Sequence, residues 1–213
     1  MKKIVIYGAG GFGREIACLI NSINNRKKTW ELIGFIDDAL DKENKNKYGK
    51  VLGNIDFLNK YSDDLAVVIS ISNPQLINEL VSKIKNPQIY FPNLIAPNVN
   101  FFDFETFNVG KGNVIFFGCR ISCDVKIGNF NLFNGQVALG HDVSIGDFNV
   151  LGPSARISGN TSVGNLNFFG LQSIVLQGLK IGNNTRIGVN SSVIKNTEND
   201  FLYFGNPAKR ISL

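Results

Sequence analysis

The sequence predicts a small α/β domain with a parallel sheet, followed by a parallel β-helix built from six-residue steps. Strand and helix patterns alternate over roughly the first ninety residues. From residue 109 to residue 193, a branched apolar residue or Phe stands at every sixth position. A similar short sequence also recurs every eighteen residues. A fixed period of this kind is typical of stacked repeat architectures.

The first domain shows the alternation expected of a small parallel sheet of the Rossmann kind. Strands are predicted over residues 3–7, 31–36, 65–71 and 88–91. The first strand leads into the glycine-rich segment Gly8–Gly13, and the helix after it has an apolar face formed by Ile16, Leu19, Ile20 and Ile23. A second helix is expected after Asn73, which supplies a cap before Pro74. The Lys/Asn-rich residues 41–50 are predicted to be a solvated loop.

The six-residue repeat predicts a triangular solenoid of short strands. One apolar side chain per step would point into the prism, and three steps would complete one coil. The inward positions are expected at Val109, Ile115, Ile121, Ile127, Phe133, Leu139, Ile145, Leu151, Ile157, Val163, Phe169, Val175, Ile181, Ile187 and Val193. A Gly or another small residue follows many of them and is expected to let the chain bend sharply there.

Residues eighteen apart would lie above one another on successive coils, about 4.8 Å apart, which is the usual strand spacing. A set of asparagines recurs with this period and is expected to form a ladder of side-chain amides along the axis: Asn113, Asn131, Asn149 and Asn167. Phe130 and Phe148 belong to a neighbouring, partly aromatic column.

The segments Phe91–Pro92 and Ala96–Pro97 mark the crossing between the two folds, so we place the domains at residues 1–92 and 93–213. The sequence has three cysteines without a partner set, no run of eighteen apolar residues and no signal sequence. These features predict a cytoplasmic protein without membrane insertion.

Composition also restricts the ligands. The formal net charge of +5 favours anionic ligands such as nucleotides or coenzyme A, whereas its spread through loops argues against a nucleic-acid surface. Cys119 and Cys123 are not accompanied by histidines, so no metal site is predicted.

The glycine-rich loop has three interpretations. Gly8, Gly10 and Gly13 satisfy the dinucleotide fingerprint, and Asp37 lies at a plausible ribose distance, which would indicate an NAD enzyme. Against this, the module is short and lacks a second mononucleotide half. The glycines could instead let the backbone approach the phosphate or sugar of another ligand, or form a purely structural tight turn.

The two folds together resemble one group of enzymes across essentially the whole chain. These are the bacterial nucleotide-sugar acetyltransferases of the hexapeptide-repeat superfamily, of the bacillosamine and sialic-acid pathway type, and the ending Gly205–Ile211 also resembles theirs. The resemblance implies a left-handed β-helix, a nucleotide-sugar in the N-terminal domain, acetyl-coenzyme A as co-substrate and no metal. It further implies a homotrimer with active sites between neighbouring β-helices.

The resemblance also implies site residues. Those expected to contact the nucleotide-sugar are Gly10, Gly11, Phe12, Asp37, Asp38 and Asn73, with Asn134 near the catalytic pair. Those expected to contact the coenzyme are Val150, Gly159, Leu171, Val189 and Lys209. A second histidine of the family falls at Val150, so one polar contact to the coenzyme is missing here.

His141 is the only histidine in the chain, and it stands two residues after an inward position, hence at a corner. Asp142 follows it, and Gly159, eighteen residues later, leaves a spot without a side chain where a thioester could lie against an exposed amide. A lone histidine is more often a satisfied surface residue. The family's catalytic His and acid fall on this same pair, so the resemblance implies that His141 and Asp142 are catalytic.

The expected reaction is transfer of an acetyl group to the amine of a nucleotide-linked sugar, with His141 as general base and the Gly159 amide stabilising the oxyanion. Two alternatives remain at this point. The same histidine could serve an O-acyltransferase acting on a hydroxyl, or the β-helix could belong to a non-catalytic binding protein.

Overall fold

The structure, a computed structural model, describes residues 1–211. The chain divides into two units by its internal contacts: Met1–Ser72 with Leu76–Pro97, and Asn73–Gln75 with the residues from Asn98 onward. The division after Pro97 lies five residues beyond the boundary placed from the sequence.

The N-terminal part is an α/β fold with one sheet. Its strands are β1 (Lys2–Tyr7), β2 (Trp30–Ile36), β3 (Lys45–Asn46), β4 (Gly49–Gly53), β5 (Leu65–Ile69) and β6 (Ile89–Tyr90), and its helices are α1 (Gly11–Arg26), α2 (Ile55–Asn59) and α3 (Pro74–Lys83). The strand order is β3-β4-β2-β1-β5-β6, and all neighbours are parallel except β3 and β4. The predicted α/β class is therefore confirmed.

One segment of this sheet differs from the prediction. Residues 41–50 are solvent-accessible, as predicted, but they are not all loop, because they contain β3 and the start of β4, which form a hairpin. Gly49, at the hairpin, packs against the ring of Phe35 in β2. Short strands of Lys, Asn and Gly carry no apolar alternation, so these strands could not be predicted from the hydrophobic pattern.

From residue 94 onward the chain forms two-residue strands at a regular spacing. They are β7 (Leu94–Ile95), β8 (Asn100–Phe101), β9 (Asn108–Val109), β10 (Val114–Ile115), β11 (Arg120–Ile121), β12 (Lys126–Ile127), β13 (Leu132–Phe133), β14 (Ala138–Leu139), β15 (Ser144–Ile145), β16 (Val150–Leu151), β17 (Arg156–Ile157), β18 (Ser162–Val163), β19 (Phe168–Phe169), β20 (Ile174–Val175), β21 (Lys180–Ile181), β22 (Arg186–Ile187) and β23 (Ser192–Val193). The hairpin of β24 (Leu202–Gly205) and β25 (Ala208–Ile211) follows them.

These strands form the three faces of a left-handed parallel β-helix. The first face contains β10, β13, β16, β19 and β22 and ends in β24 and β25; the second contains β8, β11, β14, β17, β20 and β23; the third contains β9, β12, β15, β18 and β21. All predicted inward residues from Ile115 to Val193 are buried, and Val109 is half-buried. The repeat-based prediction of this fold is therefore confirmed.

The register has the predicted period. Ile121 pairs with Leu139, and Leu139 pairs with Ile157, so each coil takes eighteen residues. The first coil is an exception, since Phe101 pairs with Ile121, twenty residues later. The two extra residues lie in the segment 102–107.

The expected role of the small residues at the bends is wrong. Gly140 follows an inward residue, but a Cβ there would lie 2.4 Å from the Gly159 amide nitrogen, so this glycine allows two coils to approach each other. The chain bends two residues later, at Asp142, whose φ is 58°. The same left-handed φ recurs every six residues, at Gly112, Gly118, Asp124, Phe130, Gln136, Asp142, Phe148, Ser154, Asn160, Leu166, Gln172, Gly178, Asn184 and Asn190.

The asparagine ladder is present and buried. The side-chain oxygen of Asn131 accepts hydrogen bonds from the backbone and side-chain nitrogens of Asn149, at 2.8 and 3.0 Å. The oxygen of Asn149 accepts the equivalent pair from Asn167, at 2.9 Å each. In the neighbouring column, the rings of Phe130 and Phe148 stack with centroids 5.3 Å apart.

Three further features that composition addressed are membrane-spanning segments, metal sites and the state of the cysteines. Over residues 1–211, no helix is long and apolar enough to span a membrane. No group of three or more His, Cys, Asp or Glu side chains in that range could hold a metal ion. The cysteines are free, with Cys18 exposed, Cys123 half-buried and Cys119 buried, and burial raises the pKa of the Cys119 thiol to about 11.

Candidate active site and ligand-binding loop

His141 and Asp142 form a polar pair at the corner between the second and third faces. The Nδ1 atom of His141 lies 2.8 Å from Oδ2 of Asp142, and both side chains are about half exposed. An ionised carboxylate can only accept hydrogen bonds, so this contact selects the neutral tautomer of His141 in which Nδ1 carries the proton and Nε2 the lone pair. Nε2 is thus the atom of this pair that can act as a base.

Backbone hydrogen bonds to the adjacent coils fix this corner. The amide of Asp142 donates to the carbonyl of Cys123 on the preceding coil, and the amide of Asn160 donates to the carbonyl of His141 from the next coil. The imidazole is therefore carried by a rigid turn rather than by a mobile loop.

Gly159 lies beside His141 as predicted, but it is not an exposed amide. A Cβ on Gly159 would lie 2.6 Å from Nε2 and 2.7 Å from Cε1 of His141, so the imidazole ring occupies the space that the glycine leaves. Gly159 is buried in consequence. The His141 ring therefore packs on Gly159, and the contact between the Gly159 amide and a thioester stays a prediction.

Residues at the His141 corner recur every eighteen positions: Cys123, His141, Gly159, Gln177 and Lys195. Beyond the glycine, Gln177 and Lys195 are exposed. Lys195 lines a cavity of about 460 Å³ together with Lys209, a predicted coenzyme residue, and Arg210. Arg210 forms an ion pair with Glu198 at 3.0 Å and lies over the ring of Phe201. The ion pairs among residues 1–211 involve neither Lys195 nor Lys209.

Asn134 lies at the next corner, between the first and second faces, and so do Leu171 and Val189. The side chains of Leu171 and Val189 are accessible, with 47% and 54% exposure. Asn134 is half-buried, and its carbonyl accepts a contact from the Cys119 thiol at 3.2 Å. One face of the prism, about 15 Å of extended chain, separates it from His141. A single chain therefore does not bring Asn134 and His141 together.

Val150 does not fit its predicted role. It is the first residue of β16 and only 1% exposed, so a coenzyme cannot reach its side chain. The position was carried over from the family resemblance, which could not show that the residue falls within a strand of the first face rather than at a corner.

The third corner, between the third and first faces, is closed to ligands by its own side chains. The backbone amides of Lys111, Asn129, Asp147, Asn165 and Asn183 each donate to the side-chain oxygen of the corresponding residue on the next coil, at 2.6 to 3.0 Å. The described hydrogen bonds include no such ladder at the other two corners. A ligand that needs backbone amides is therefore directed to the corners of His141 and Asn134.

In the N-terminal unit, the glycines of the loop after β1 separate into two kinds. Gly8 has a φ of 107°, and a Cβ on Gly13 would lie 2.1 Å from the carbonyl oxygen of Gly8, so the fold itself requires both. A Cβ on Gly10 would meet nothing within 4 Å, and one on Gly11 would meet only the Arg14 side chain at 3.8 Å. Gly10 and Gly11 are thus free to face a ligand.

Helix α1 begins at this loop with its positive end unneutralised. Gly10 is the N-cap and provides no side-chain cap, and the first turn contains no acidic residue. Such a helix end favours an anion. Of the other predicted contacts, Phe12 is half-buried in the first turn, and Asn73 is exposed directly before α3.

Asp37 and Asp38 both have structural partners after β2. Asp37 accepts from the amides of Ala9 and Ala39, at 2.9 and 3.0 Å. Asp38 accepts from the Tyr7 hydroxyl and from the Ile55 amide, the latter at 3.0 Å. Burial and the bond to Asp38 raise the pKa of the Tyr7 phenol, which stays protonated as the donor. Each oxygen of both carboxylates thus accepts one bond from the fold and keeps a lone pair for a ligand.

Sequence reasoning missed three residues that the structure brings to these sites. Lys195 could have been found, because it stands three eighteen-residue periods after His141. Arg14 and Lys45 line one cleft beside the glycine-rich loop, but Lys45 is on the hairpin that the sequence did not predict.

Comparison with known proteins identifies the N-terminal part. Residues 3–84 match the family model described as the PglD N-terminal domain. No curated protein matches the chain significantly.

Solved structures match over the full length. A histidine-to-asparagine variant of perosamine N-acetyltransferase from Caulobacter crescentus, in complex with CoA and GDP-perosamine, is 24% identical with a TM-score of 0.87, covering 100% of this chain and 98% of that one. The acetyltransferase domain of PglB from Neisseria gonorrhoeae, in complex with acetyl coenzyme A, is 22% identical with a TM-score of 0.89 and 99% of each chain covered. WeeI from Acinetobacter baumannii is 26% identical with a TM-score of 0.88, covering 99% of this chain and 100% of that one.

These likenesses agree with the resemblance inferred from the sequence: residues 3–84 match the PglD N-terminal domain, and the whole chain has the fold of the matched acetyltransferase structures.

Proposed function

We propose that this protein transfers the acetyl group of acetyl-coenzyme A to the amino group of a nucleotide-linked sugar, most simply a 4-amino-4,6-dideoxyhexose. The observation that carries the proposal is the His141–Asp142 pair, 2.8 Å apart on a rigid corner with Nε2 unbonded to any residue of 1–211. The likeness to structures solved with CoA, acetyl coenzyme A and GDP-perosamine supports the choice of substrates.

In the proposed mechanism, the sugar amine attacks the carbonyl carbon of the thioester. Nε2 of His141 removes a proton from the amine as the new C–N bond forms, and Asp142 stabilises the resulting imidazolium through Nδ1. Collapse of the tetrahedral intermediate breaks the C–S bond, and the proton leaves with the sulfur of coenzyme A. General-base catalysis of this kind contributes about 10²–10⁴-fold to the rate.

The coenzyme is proposed to run along the His141 corner towards the C-terminal hairpin. Three coil steps of about 4.8 Å separate His141 from Lys195, a distance of about 14 Å. Lys195 and Lys209 would then meet the coenzyme phosphates at the cavity they line. This path follows the His141 corner. At the third corner, by contrast, the backbone amides already donate to side-chain oxygens.

The nucleotide part of the substrate is proposed to bind the N-terminal unit at Gly10 and Gly11. Two observations support this position. A Cβ at either glycine would not clash with the fold, and no acidic residue in the first turn neutralises the positive end of α1. Asp38 is exposed and retains acceptor capacity for the nucleoside, whereas Asp37 would act by holding the loop in shape.

We further propose that the active site is completed by a second copy of the chain in a homotrimer. Asn134, Leu171 and Val189 share a corner that the same chain cannot bring to His141. A neighbouring copy could supply that corner, and the exposed apolar side chains of Leu171 and Val189 are consistent with a surface that another copy or the coenzyme covers.

The experiment that tests this function is a thiol-release assay with acetyl-coenzyme A and a panel of UDP-, dTDP- and GDP-linked 4-amino-4,6-dideoxy sugars. We expect turnover with one of them, and a loss of at least 100-fold in kcat for His141→Asn. Coenzyme binding by calorimetry serves as the control for folding of the variant.

Two results would contradict the proposal. Thiol release with hydroxyl sugars but with no amino sugar would indicate an O-acyltransferase. Turnover that is unchanged in His141→Asn would remove the general base from the mechanism.

A further inference from the structure

We propose that Arg14 and the β3–β4 hairpin form the subsite for the diphosphate of the nucleotide-sugar, with Lys45 as its second cation and Lys50 directly opposite Lys45 across the hairpin. This inference rests on the proposed function and assigns the charged part of the substrate to residues outside the glycine-rich loop.

The first argument is the shape of the cleft. A cavity of about 170 Å³ opens beside Ala9, at the end of β1, between the first turns of α1 and the hairpin. Arg14 of α1 and Lys45 of β3 are among its lining residues. The Arg14 guanidinium also lies 3.8 Å from the position a Cβ on Gly11 would take, so it borders the ligand-facing glycines.

The second argument is unbalanced charge. Lys45 pairs directly with Lys50 across the antiparallel hairpin, an arrangement that is destabilising because like charges oppose each other. The ion pairs among residues 1–211 involve neither of these lysines nor Arg14. An anion in the cleft would offset the repulsion, and a diphosphate offers several oxygens to Arg and Lys donors.

The third argument is that the hairpin is held in place. The Tyr48 hydroxyl lies 2.9 Å from the Cys18 sulfur on α1, and the Asn46 side chain accepts from the Tyr48 amide at 2.9 Å. Gly49 packs on the Phe35 ring. Lys45, which lines the cleft opposite Arg14, therefore stands on a hairpin anchored to α1, and this limits the ordering cost when a ligand binds.

The test measures binding of a nucleoside and of its diphosphate to the full chain by calorimetry, for uridine, thymidine and guanosine, without coenzyme. We expect Arg14→Gln and Lys45→Gln each to weaken binding of the nucleoside diphosphate by about tenfold or more, and to leave the nucleoside unaffected. Arg14→Lys should restore part of the loss. Lys28→Gln removes an exposed lysine outside the cleft and is the matched control.

The possible failures are distinguishable. If the unaltered protein binds no nucleoside diphosphate, both the proposed function and this inference are wrong. If it binds one and the variants bind it equally well, or if they lose the nucleoside to the same extent, the function stands and the diphosphate subsite lies elsewhere.

Discussion

The imidazole ring of His141 packs on Gly159, in the space where any other residue would have its Cβ. The ideal Cβ position is 2.6 Å from Nε2 and 2.9 Å from Cδ2 of the ring, both far inside van der Waals contact. With Asp142 holding Nδ1 from one side and Gly159 supporting the ring, the orientation of Nε2 is fixed by two neighbours. A change at either neighbour should therefore alter catalysis without removing the histidine.

The first prediction concerns the supporting glycine. Gly159→Ala should lower kcat by about 100-fold, because the added methyl group pushes the imidazole out of position and general-base catalysis depends on its geometry. The melting temperature should change little, since the His141 side chain is half exposed and can move into solvent. Steady-state kinetics and thermal denaturation check both parts. Ser158→Ala, at the adjacent position, is expected to retain activity, and an equal loss there would point to a general disturbance of the coil.

The second prediction concerns the carboxylate. Asp142→Asn should lower kcat about 10–100-fold, because it removes a charged hydrogen bond to Nδ1 that is worth about 1.5–3 kcal/mol. Asn is the suitable replacement because Asp142 has a φ of 58°, which Asn tolerates and Ala does not.

Asp124 provides a matched control for this variant. It occupies the same corner one coil earlier with a φ of 57°, but it has no histidine beside it. Asp124→Asn should leave the kinetics unchanged. Similar losses in both variants would show that the corner backbone, rather than the pairing with His141, is responsible.

The fold was largely predictable because its signal is local and periodic. The inward positions and the asparagine ladder follow from the six- and eighteen-residue periods, and the structure buries Ile115 to Val193 as expected. The β3–β4 hairpin was not predictable, since two-residue strands of Lys and Asn show no alternation. What holds β4 in the sheet is pairing with β2, a contact distant in sequence.

The candidate site was predictable only in part. Counting in eighteens puts Gly159 beside His141, but it could not reveal that the imidazole packs in the space of the missing Cβ, because a rotamer depends on all its neighbours. The resemblance also could not show that Val150 is buried in β16, or that one face of the β-helix lies between Asn134 and His141.

The third prediction separates the two kinds of glycine in the loop after β1. Gly10→Ala should leave the melting temperature nearly unchanged, because the new methyl group touches no other atom of the protein. It should weaken nucleotide binding about tenfold, because the methyl group would occupy the space proposed for the ligand. Gly13→Ala should lower the melting temperature, because its Cβ would clash with the Gly8 carbonyl oxygen. Thermal denaturation with and without nucleoside diphosphate distinguishes them. If Gly10→Ala binds nucleotide normally, the loop does not contact the ligand.

The fourth prediction concerns the two amide ladders, which have the same chemistry and different burial. Asn149→Ala should destabilise the β-helix by about 2–5 kcal/mol, because the backbone and side-chain amides of Asn167 lose their shared acceptor away from water, and the Asn131 side-chain oxygen loses one of its two donors. Asn165→Ala removes the acceptor of the Asp147 amide at an exposed corner, where water can replace it, and should cost about 1 kcal/mol or less. Thermal midpoints of the two variants, measured under identical conditions, give the comparison. Equal midpoints would mean that burial does not determine the contribution of a ladder amide, and the inner ladder would then have no special role in holding the coils together.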